Sequence, residues 1–192
     1  SLCVCVCVCV SSLVHLFRTC LAVDTHSLIV LRVPIYSGKS TILNFLKPDA
    51  QKQTEMYPTV GFQVEKFRHG IINFTMFDMS GQGRYRNLWE HYYPEAEGII
   101  FVIDSADTVR LCVVKDELDC ILSHKDIRNR PIPLLLFANK KDRPKALTPA
   151  QISEAIGLGK ITDRPWTIVP SLALKGYGLE DGMKWMNSHL LS

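Results

Sequence analysis

The 192-residue chain has little net charge, +3 at neutral pH with histidine neutral, and no block of basic residues. This balance gives no reason to expect nucleic acid as a partner. No internal repeat is present, and glycine and proline occur singly between periodic segments, which argues against a linker. With 47% hydrophobic residues, the chain has enough apolar material to bury a core. These features favour one globular domain behind an unusual leader.

The first residues differ from everything that follows, because valine and cysteine alternate strictly from Cys3 to Val10. A GTGTGT tract of DNA encodes only Val and Cys codons. We therefore expect that the stretch up to about Tyr36 comes from a mis-predicted or truncated N-terminus and is disordered or loosely packed. A soft-metal site is an alternative, but no further Cys or His cluster closes it. A signal or anchor over residues 2–22 is another, but it lacks a basic start and is interrupted by His15 and Arg18. We assign residues 1–27 to the leader and 28–192 to the domain.

Cysteine usage outside the leader is low. Five of the seven cysteines lie in the leader, so their number says little about the redox compartment. The two in the body, Cys112 and Cys120, are expected to be buried free thiols and not a disulfide.

From Leu28 onward, strand-like and helix-like segments alternate, which predicts an α/β fold with a mainly parallel sheet covered by helices on both faces. Two runs that alternate around His69-Gly70 predict an antiparallel hairpin at the sheet edge. The predicted strands are Leu28–Val33, Phe62–Arg68, Ile71–Asp78, Gly98–Ile103, Ile132–Ala138 and Trp166–Val169. The predicted helices are Lys39–Leu46, Arg84–Tyr92, Thr108–Ser123, Thr148–Ile156 and one from about Leu179, whose Leu179, Met183, Met186 and Leu190 form a core-facing stripe.

Ser37-Gly38-Lys39-Ser40 follows the first predicted strand and opens a helix, which is the context that a phosphate-binding loop requires. Main-chain N–H groups from Tyr36 to Thr41 would face the phosphates, Lys39 would reach the terminal ones, and the Ser40 hydroxyl would bind Mg²⁺. The glycine that begins the full pattern is replaced by Val33. We expect this β-branched residue, together with Pro34, to strain the loop by about 1–3 kcal/mol.

Four further residues suit the γ-phosphate and its metal. Asp78 ends a predicted strand, where a carboxylate can hold Mg²⁺ through a water. Gly81 can donate its main-chain N–H to a γ-phosphate, and Gln82 can orient an attacking water. Upstream, Thr59 lies between the first helix and the hairpin and would complete the Mg²⁺ ligands. Thr59, Asp78 and Gln82 each have an ordinary alternative, as a strand cap, a strand-end turn residue and a solvated loop residue respectively, so the prediction depends on the order and spacing of these residues.

Asn139-Lys140-Lys141-Asp142 follows the buried run Ile132–Ala138, and this arrangement can recognise guanine. The Asp142 carboxylate can accept from N1-H and from the 2-amino group, which adenine does not offer in that arrangement. The Asn139 amide can serve O6 and N7, and the stem of Lys140 can lie flat over the base. A polar loop after a strand is the ordinary alternative for these four residues taken alone.

Three segments together resemble the Arf-type small GTPases: Pro58–Phe62, Asp78–Tyr93 and Asn139–Asp142. The resemblance extends from Ser37 to Ser192 and implies a P-loop small-GTPase fold with a six-stranded, mostly parallel sheet. It also implies a switch that binds GTP or GDP with Mg²⁺ and hydrolyses GTP slowly. The hairpin that ends in Asp78 would slide in register and couple the nucleotide state to a membrane-binding N-terminus.

By the same resemblance, the partners are an exchange factor, a GTPase-activating protein and an effector coat of the BBSome type, contacted through Phe62, Phe77 and Tyr92. Ordinary packing beneath the hairpin is the alternative for these three aromatics. The implied location is cytoplasmic and peripheral to membranes, at the base of the cilium or on the ciliary membrane.

The chain departs from the family pattern in several places. No N-terminal myristoylation signal or amphipathic helix is recognisable, and Ile35 replaces the aspartate usual in the phosphate loop. Val169-Pro170-Ser171 stands where the family has Cys-Ala-Ser or Cys-Ala-Thr, whose central N–H contacts guanine O6. Pro170 has no N–H, which would cost about 0.5–1.5 kcal/mol of binding. A nucleotide-poor pseudo-GTPase acting as an interaction module is therefore the second hypothesis, and an ATP-using P-loop kinase is a distant third.

Overall fold

A computed structural model describes residues 25–32, 37–48, 52, 62–69, 72–79 and 90–191, with only the main chain described at 25–32, 62–63 and 77–79. Six described strands form one sheet in the order β2-β3-β1-β4-β5-β6. They are β1 (Thr25–Arg32), β2 (Phe62–His69), β3 (Ile72–Met79), β4 (Gly98–Asp104), β5 (Leu134–Asn139) and β6 (Trp166–Pro170). All neighbours are parallel except β2 and β3, so the predicted edge hairpin is confirmed.

The strand order requires helices on both faces of the sheet. The chain moves in one direction along the sheet from β1 to β3 and in the other direction from β4 to β5 to β6. Because parallel crossovers are right-handed, the first helix and the later crossover helices cover opposite faces. Every described residue of β5 and all but the last of β4 are buried, as expected for strands covered on both sides. The predicted fold class is therefore confirmed.

The described helices are close to the predicted ones. They are α1 (Lys39–Leu46), α2 (Leu111–Leu122), α3 (Pro149–Ile156) and α4 (Leu179–Leu190). The predicted helix from Thr108 begins as a 3₁₀ turn over Thr108–Arg110 and becomes α-helical at Leu111. Thr148 caps α3 through a reciprocal pair of contacts with Gln151, a capping box. The predicted helix Arg84–Tyr92 lies mostly outside the described residues.

The predicted stripe on the last helix is confirmed as core packing. Leu179, Met183 and Met186 are fully buried, and Leu190 packs partly buried against the same core. Gly182 lies between them on α4, where an added Cβ would come within 2.6 Å of the Phe137 ring in β5. Helix α4 therefore approaches β5 closely.

The prediction of buried thiols at Cys112 and Cys120 is wrong. Both are free, but both are exposed on α2. The buried stripe of that helix is Val114, Leu118 and Ile121, and neither cysteine lies at a helical spacing that joins it. Cysteine is often buried, but here the face of the helix decides its position.

The first strand begins at Thr25 and not at Leu28, so it takes in residues that we assigned to the leader. The domain boundary itself stays a prediction. Among the residues described, no helix has the length and apolar character that crossing a bilayer requires.

Candidate nucleotide-binding site

The carboxyl ends of the parallel strands bring most of the predicted site residues to one edge of the sheet. Asp78 in β3 pairs with Leu31 near the end of β1, and Asp104 at the end of β4 pairs with Asn139 at the end of β5. Pro170, which ends β6, pairs with Ala138. In open α/β sheets, ligands bind beyond these ends, where the order of the strands reverses. Here that point lies between β1 and β4.

Helix α1 begins at this edge behind Gly38, which has a φ of 94° and offers no side-chain cap. The first-turn N–H groups at Lys39, Ser40 and Thr41 lie at the positive end of the helix, which suits an anion. An added Cβ at Gly38 would lie 2.6 Å from the side-chain nitrogen of Asn139. The position therefore requires glycine both for its backbone conformation and for space.

Ser37 and Lys39 are largely buried, with relative exposures of 2% and 7%. The hydroxyl oxygen of Ser37 has no hydrogen-bond partner among the described groups. A buried hydroxyl without a partner is costly, so a ligand that contacts it would be favoured. The end of a strand, the sterically restricted Gly38 and the start of α1 lie together with this serine. Such an arrangement is suitable for binding a phosphate group.

The side chain of Asn139 connects three segments of the chain. Its Nδ2 donates to the main-chain oxygen of Ser37 at 2.9 Å, and its Oδ1 accepts from the main-chain N–H of Ala173 at 3.0 Å. The Ser171 hydroxyl also donates to Oδ1, at 3.4 Å. Asn139 is only 2% exposed. Our expectation that this amide serves O6 and N7 of the base therefore needs correction, because its oxygen and one of its two N–H groups are used within the protein.

Lys140 is the first residue after β5 and has a φ of 62°, unusual for a residue with a side chain. Its Nζ lies 2.6 Å from Oδ2 of Asp104, and the side chains are 21% and 15% exposed. The other carboxylate oxygen of Asp104 accepts from the main-chain N–H of Ala106 at 3.1 Å. Asp104 was not predicted from the sequence, because only the β4–β5 register brings it beside Lys140.

The next two residues of the motif turn outward. The ammonium of Lys141 lies over the exposed ring of Tyr177, and its main-chain N–H donates to the oxygen of Ser171 at 3.3 Å. The Asp142 carboxylate is exposed. Within the motif, Asn139 therefore contacts the neighbouring loops, Lys140 contacts Asp104, and the carboxylate of Asp142 faces solvent.

The first three main-chain N–H groups after β6 are used within the protein. Ser171 N–H donates to the oxygen of Ala138 at 2.8 Å, and Leu172 N–H to the oxygen of Tyr177 at 3.1 Å. Ala173 N–H is held by Asn139, and Pro170 has no N–H to offer. This segment therefore has no main-chain donor left for a base oxygen in the conformation described.

The remaining predicted residues are only partly described. Asp78 is placed by its main chain at the carboxyl end of β3, and Phe62 and Phe77 are known only by their strand pairing. Tyr92 is half-buried and packs against the core. Thr59, Gly81, Gln82, Val33 and Tyr36 lie outside the described residues, so the proposed γ-phosphate contacts stay predictions.

The sheet is mostly parallel with one antiparallel edge strand. At one of its edges lie a helix that begins behind a glycine and a motif of the guanine-binding type. This combination is typical of the class of small GTPases. The model of the ADP-ribosylation factor family matches residues 18–190, which is most of the chain. The chain belongs to this family of small GTPases.

Among curated proteins, the chain is similar to ADP-ribosylation factor-like protein 6 of Danio rerio, with 53% identity over 154 residues. That match covers 80% of this chain and 83% of the relative. The proteins of the same name from Caenorhabditis briggsae and Caenorhabditis elegans are 44% and 41% identical, each over 154 residues, with 80% of this chain and 81% of the relative covered.

Among solved structures, the chain resembles the Arl6 BBS3 small GTPase from Trypanosoma brucei, which was solved with the bound nucleotide analogue GppNp. The TM-score is 0.80 at 40% identity, and the match covers 86% of this chain and 98% of that one. The likeness therefore extends over nearly the whole of the solved protein.

Proposed function

We propose that the chain is a guanine-nucleotide switch that binds GTP and GDP at the carboxyl edge of the sheet and hydrolyses GTP slowly. The observation that carries this proposal is the side chain of Asn139, which joins Ser37 before α1 to Ala173 after β6. One residue of the guanine-type motif thereby holds the phosphate side and the base side of a single cleft.

In this proposal, Asp142 recognises the base. Its exposed carboxylate accepts from N1-H and the 2-amino group of guanine, both of which are donors. Asn139 keeps one N–H of Nδ2 beyond its bond to Ser37, and a purine N7 is a suitable acceptor for it. The stem of Lys140 covers the face of the ring, and Ser171 closes the pocket from the β6 side.

The phosphates lie at the start of α1. The N–H groups of Gly38, Lys39, Ser40 and Thr41 and the ammonium of Lys39 neutralise their charge. Mg²⁺ would be held by the hydroxyls of Ser40 and Thr59 and, through water, by Asp78; when bound, it shields charge on the β- and γ-phosphates. Gly81 donates to the γ-phosphate, and Gln82 orients the attacking water.

Hydrolysis is slow in this proposal, because the sequence places no arginine against the γ-phosphate. A GTPase-activating protein that supplies one would add on the order of 1000-fold. An exchange factor would return the switch to its GTP state. We further propose an effector coat of the BBSome type that contacts Phe62, Phe77 and Tyr92, and action on a membrane surface near the cilium, by likeness to the relatives.

The test is titration of the purified chain with fluorescent GDP and GTP analogues in the presence of Mg²⁺. We expect saturable binding that excess unlabelled GDP competes away and that ADP does not. If neither analogue binds below the millimolar range, the proposal is wrong. Single-turnover release of phosphate from bound GTP then measures the intrinsic rate.

A matched variant, Asp142→Asn, tests the base contact separately. An amide N–H can donate to the 2-oxo group of xanthine, while it repels the 2-amino group of guanine. We expect the variant to prefer xanthosine diphosphate over GDP and to keep its thermal unfolding temperature, since Asp142 is exposed. If both forms keep the same preference, Asp142 does not read the base.

A second candidate is a pseudo-GTPase that acts as an interaction module without tight nucleotide binding. The observation in its favour is the donor count after β6, where Pro170 has no N–H and the next three N–H groups are used internally. The same titration separates the two candidates. A chain that is folded but binds neither GDP nor GTP analogue would support the pseudo-GTPase that acts as an interaction module.

A further inference from the structure

We infer that Asp104 is a positioning residue for Lys140, which it holds across the base pocket. This inference deepens the proposed function and rests on it. Asp104 belongs to none of the motifs that predicted the site, and its contacts are with the protein. Its proposed action on the nucleotide goes entirely through the lysine side chain.

The carboxylate of Asp104 is fixed before it meets the lysine. Asp104 is the last residue of β4, and its Oδ1 accepts from the N–H of Ala106 two residues on, at 3.1 Å. This local turn leaves Oδ2 to face the neighbouring strand. The carboxylate is therefore oriented by its own backbone, independently of Lys140.

The register between β4 and β5 places Lys140 beside the carboxylate of Asp104. Asp104 pairs with Asn139, so Lys140 is the first residue beyond the paired ends. Its positive φ turns the main chain at this point, and its Nζ lies 2.6 Å from Oδ2 of Asp104. A lysine side chain has many accessible rotamers when it is unconstrained. Fixing its ammonium restricts the stem before any ligand arrives.

Two neighbouring cations show that this geometry is specific to Lys140. Arg143 also approaches Oδ2 of Asp104, but at 3.8 Å and with a side chain that is 56% exposed. Lys141, next in sequence, points to the ring of Tyr177. The short contact and the low exposure belong to the residue whose stem would cover the base.

The competing explanation is that Asp104 has a purely structural role. Two substitutions distinguish this role from the positioning of Lys140. Asp104→Asn keeps an oxygen for the N–H of Ala106 and removes the charge that holds Lys140. Lys140→Met keeps an apolar stem and removes the ammonium. We expect each to weaken GDP binding by about tenfold, and the double variant to be no weaker than either single one within about twofold, because one interaction is lost in all three.

The matched control is Glu65→Gln. Glu65 also accepts from a lysine ammonium, with 2.8 Å between Lys47 Nζ and its Oε1 and with both side chains less than a quarter exposed. It lies on the hairpin, outside the residues that bind nucleotide in our proposal. We expect it to leave the GDP dissociation constant within about twofold of the parent, as distant sites are independent.

A second readout follows the lysine itself. Acetic anhydride labelling with mass spectrometry measures the reactivity of Lys140, and exposed Lys141 serves as the internal standard. We expect Asp104→Asn to raise the labelling of Lys140 several-fold relative to Lys141. Unchanged labelling or unchanged GDP affinity in this variant would overturn the inference, as would multiplicative losses in the double variant. If the parent binds no GDP, the proposed function fails, and the positioning role fails with it.

Discussion

The side-chain amide of Asn139 donates to the main-chain oxygen of Ser37 at 2.9 Å, although the two residues are 102 positions apart in the chain. The same amide accepts from the N–H of Ala173. All three residues are at most 4% exposed. The loops on the two sides of the proposed cleft are therefore joined by one buried side chain and not by packing alone.

Replacing Asn139 with alanine should destabilise the fold even without nucleotide. The change leaves a buried carbonyl at Ser37 and a buried N–H at Ala173 without partners, and an unpaired buried group costs about 1–3 kcal/mol. We expect the free energy of unfolding to fall by about 2–4 kcal/mol in total. Urea denaturation followed by fluorescence, with no added nucleotide, measures the change.

Ser171→Ala provides a graded comparison for that experiment. It removes only the long 3.4 Å contact to the same oxygen of Asn139, so its effect should be below about 1 kcal/mol. Equal effects of the two substitutions would contradict the account of Asn139 as the connecting residue.

Gly38→Ala should be harmful for a different reason. Alanine at a φ of 94° is strained by about 1–3 kcal/mol, and its Cβ would meet the amide nitrogen of Asn139 at 2.6 Å. Both the stability and the binding of phosphate ligands should decrease. Gly159→Ala is the matched control, because nothing lies within 4 Å of its added Cβ. Comparable thermal unfolding temperatures for the two variants would refute this account.

Patterns in the sequence predicted the sheet, the hairpin and the edge where the site lies. Periodicity over Lys39–Leu46 predicted α1 at its observed bounds. The run before Asn139 predicted β5, whose burial on both faces confirms it as a central strand. These segments were predictable because local burial and turn chemistry decide them.

What depended on tertiary contacts was missed or wrongly interpreted. The partnership of Asp104 with Lys140 arises from a strand register between residues 36 positions apart. The exposure of Cys112 follows from the face of α2 that meets the sheet, which a preference for burial cannot supply. The internal role of Asn139 required knowing that Ser37 and Ala173 converge on it. In each case, the deciding partner is distant in sequence.

The stability should depend on pH at Asp163, whose pKa is lowered below its usual value by the hydrogen bond from Arg164. A lowered carboxylate pKa stabilises the fold above the unfolded value near 4, and this contribution is lost as pH falls below it. The side chain is 55% exposed, so screening limits the effect to a few tenths of a kcal/mol, as for surface pairs. Asp163→Asn should therefore lower the free energy of unfolding more at pH 7 than at pH 3. A difference that grows toward acid pH would contradict this sign.

Pro170→Ala should strengthen nucleotide binding. Bonds in a parallel pair come from alternate residues, and Ser171 N–H already bonds to Ala138. An N–H at position 170 would therefore lie outside the β5–β6 ladder. By the family resemblance, we expect the N–H at this position to contact guanine O6. One added hydrogen bond is worth about 0.5–1.5 kcal/mol, so the GDP dissociation constant should fall about two- to tenfold. Inosine diphosphate keeps O6 and should gain equally, while 6-thioguanosine diphosphate, with a weaker acceptor, should gain less. If Pro170→Ala tightens all three nucleotides to the same extent, loop flexibility and not a contact to O6 is responsible.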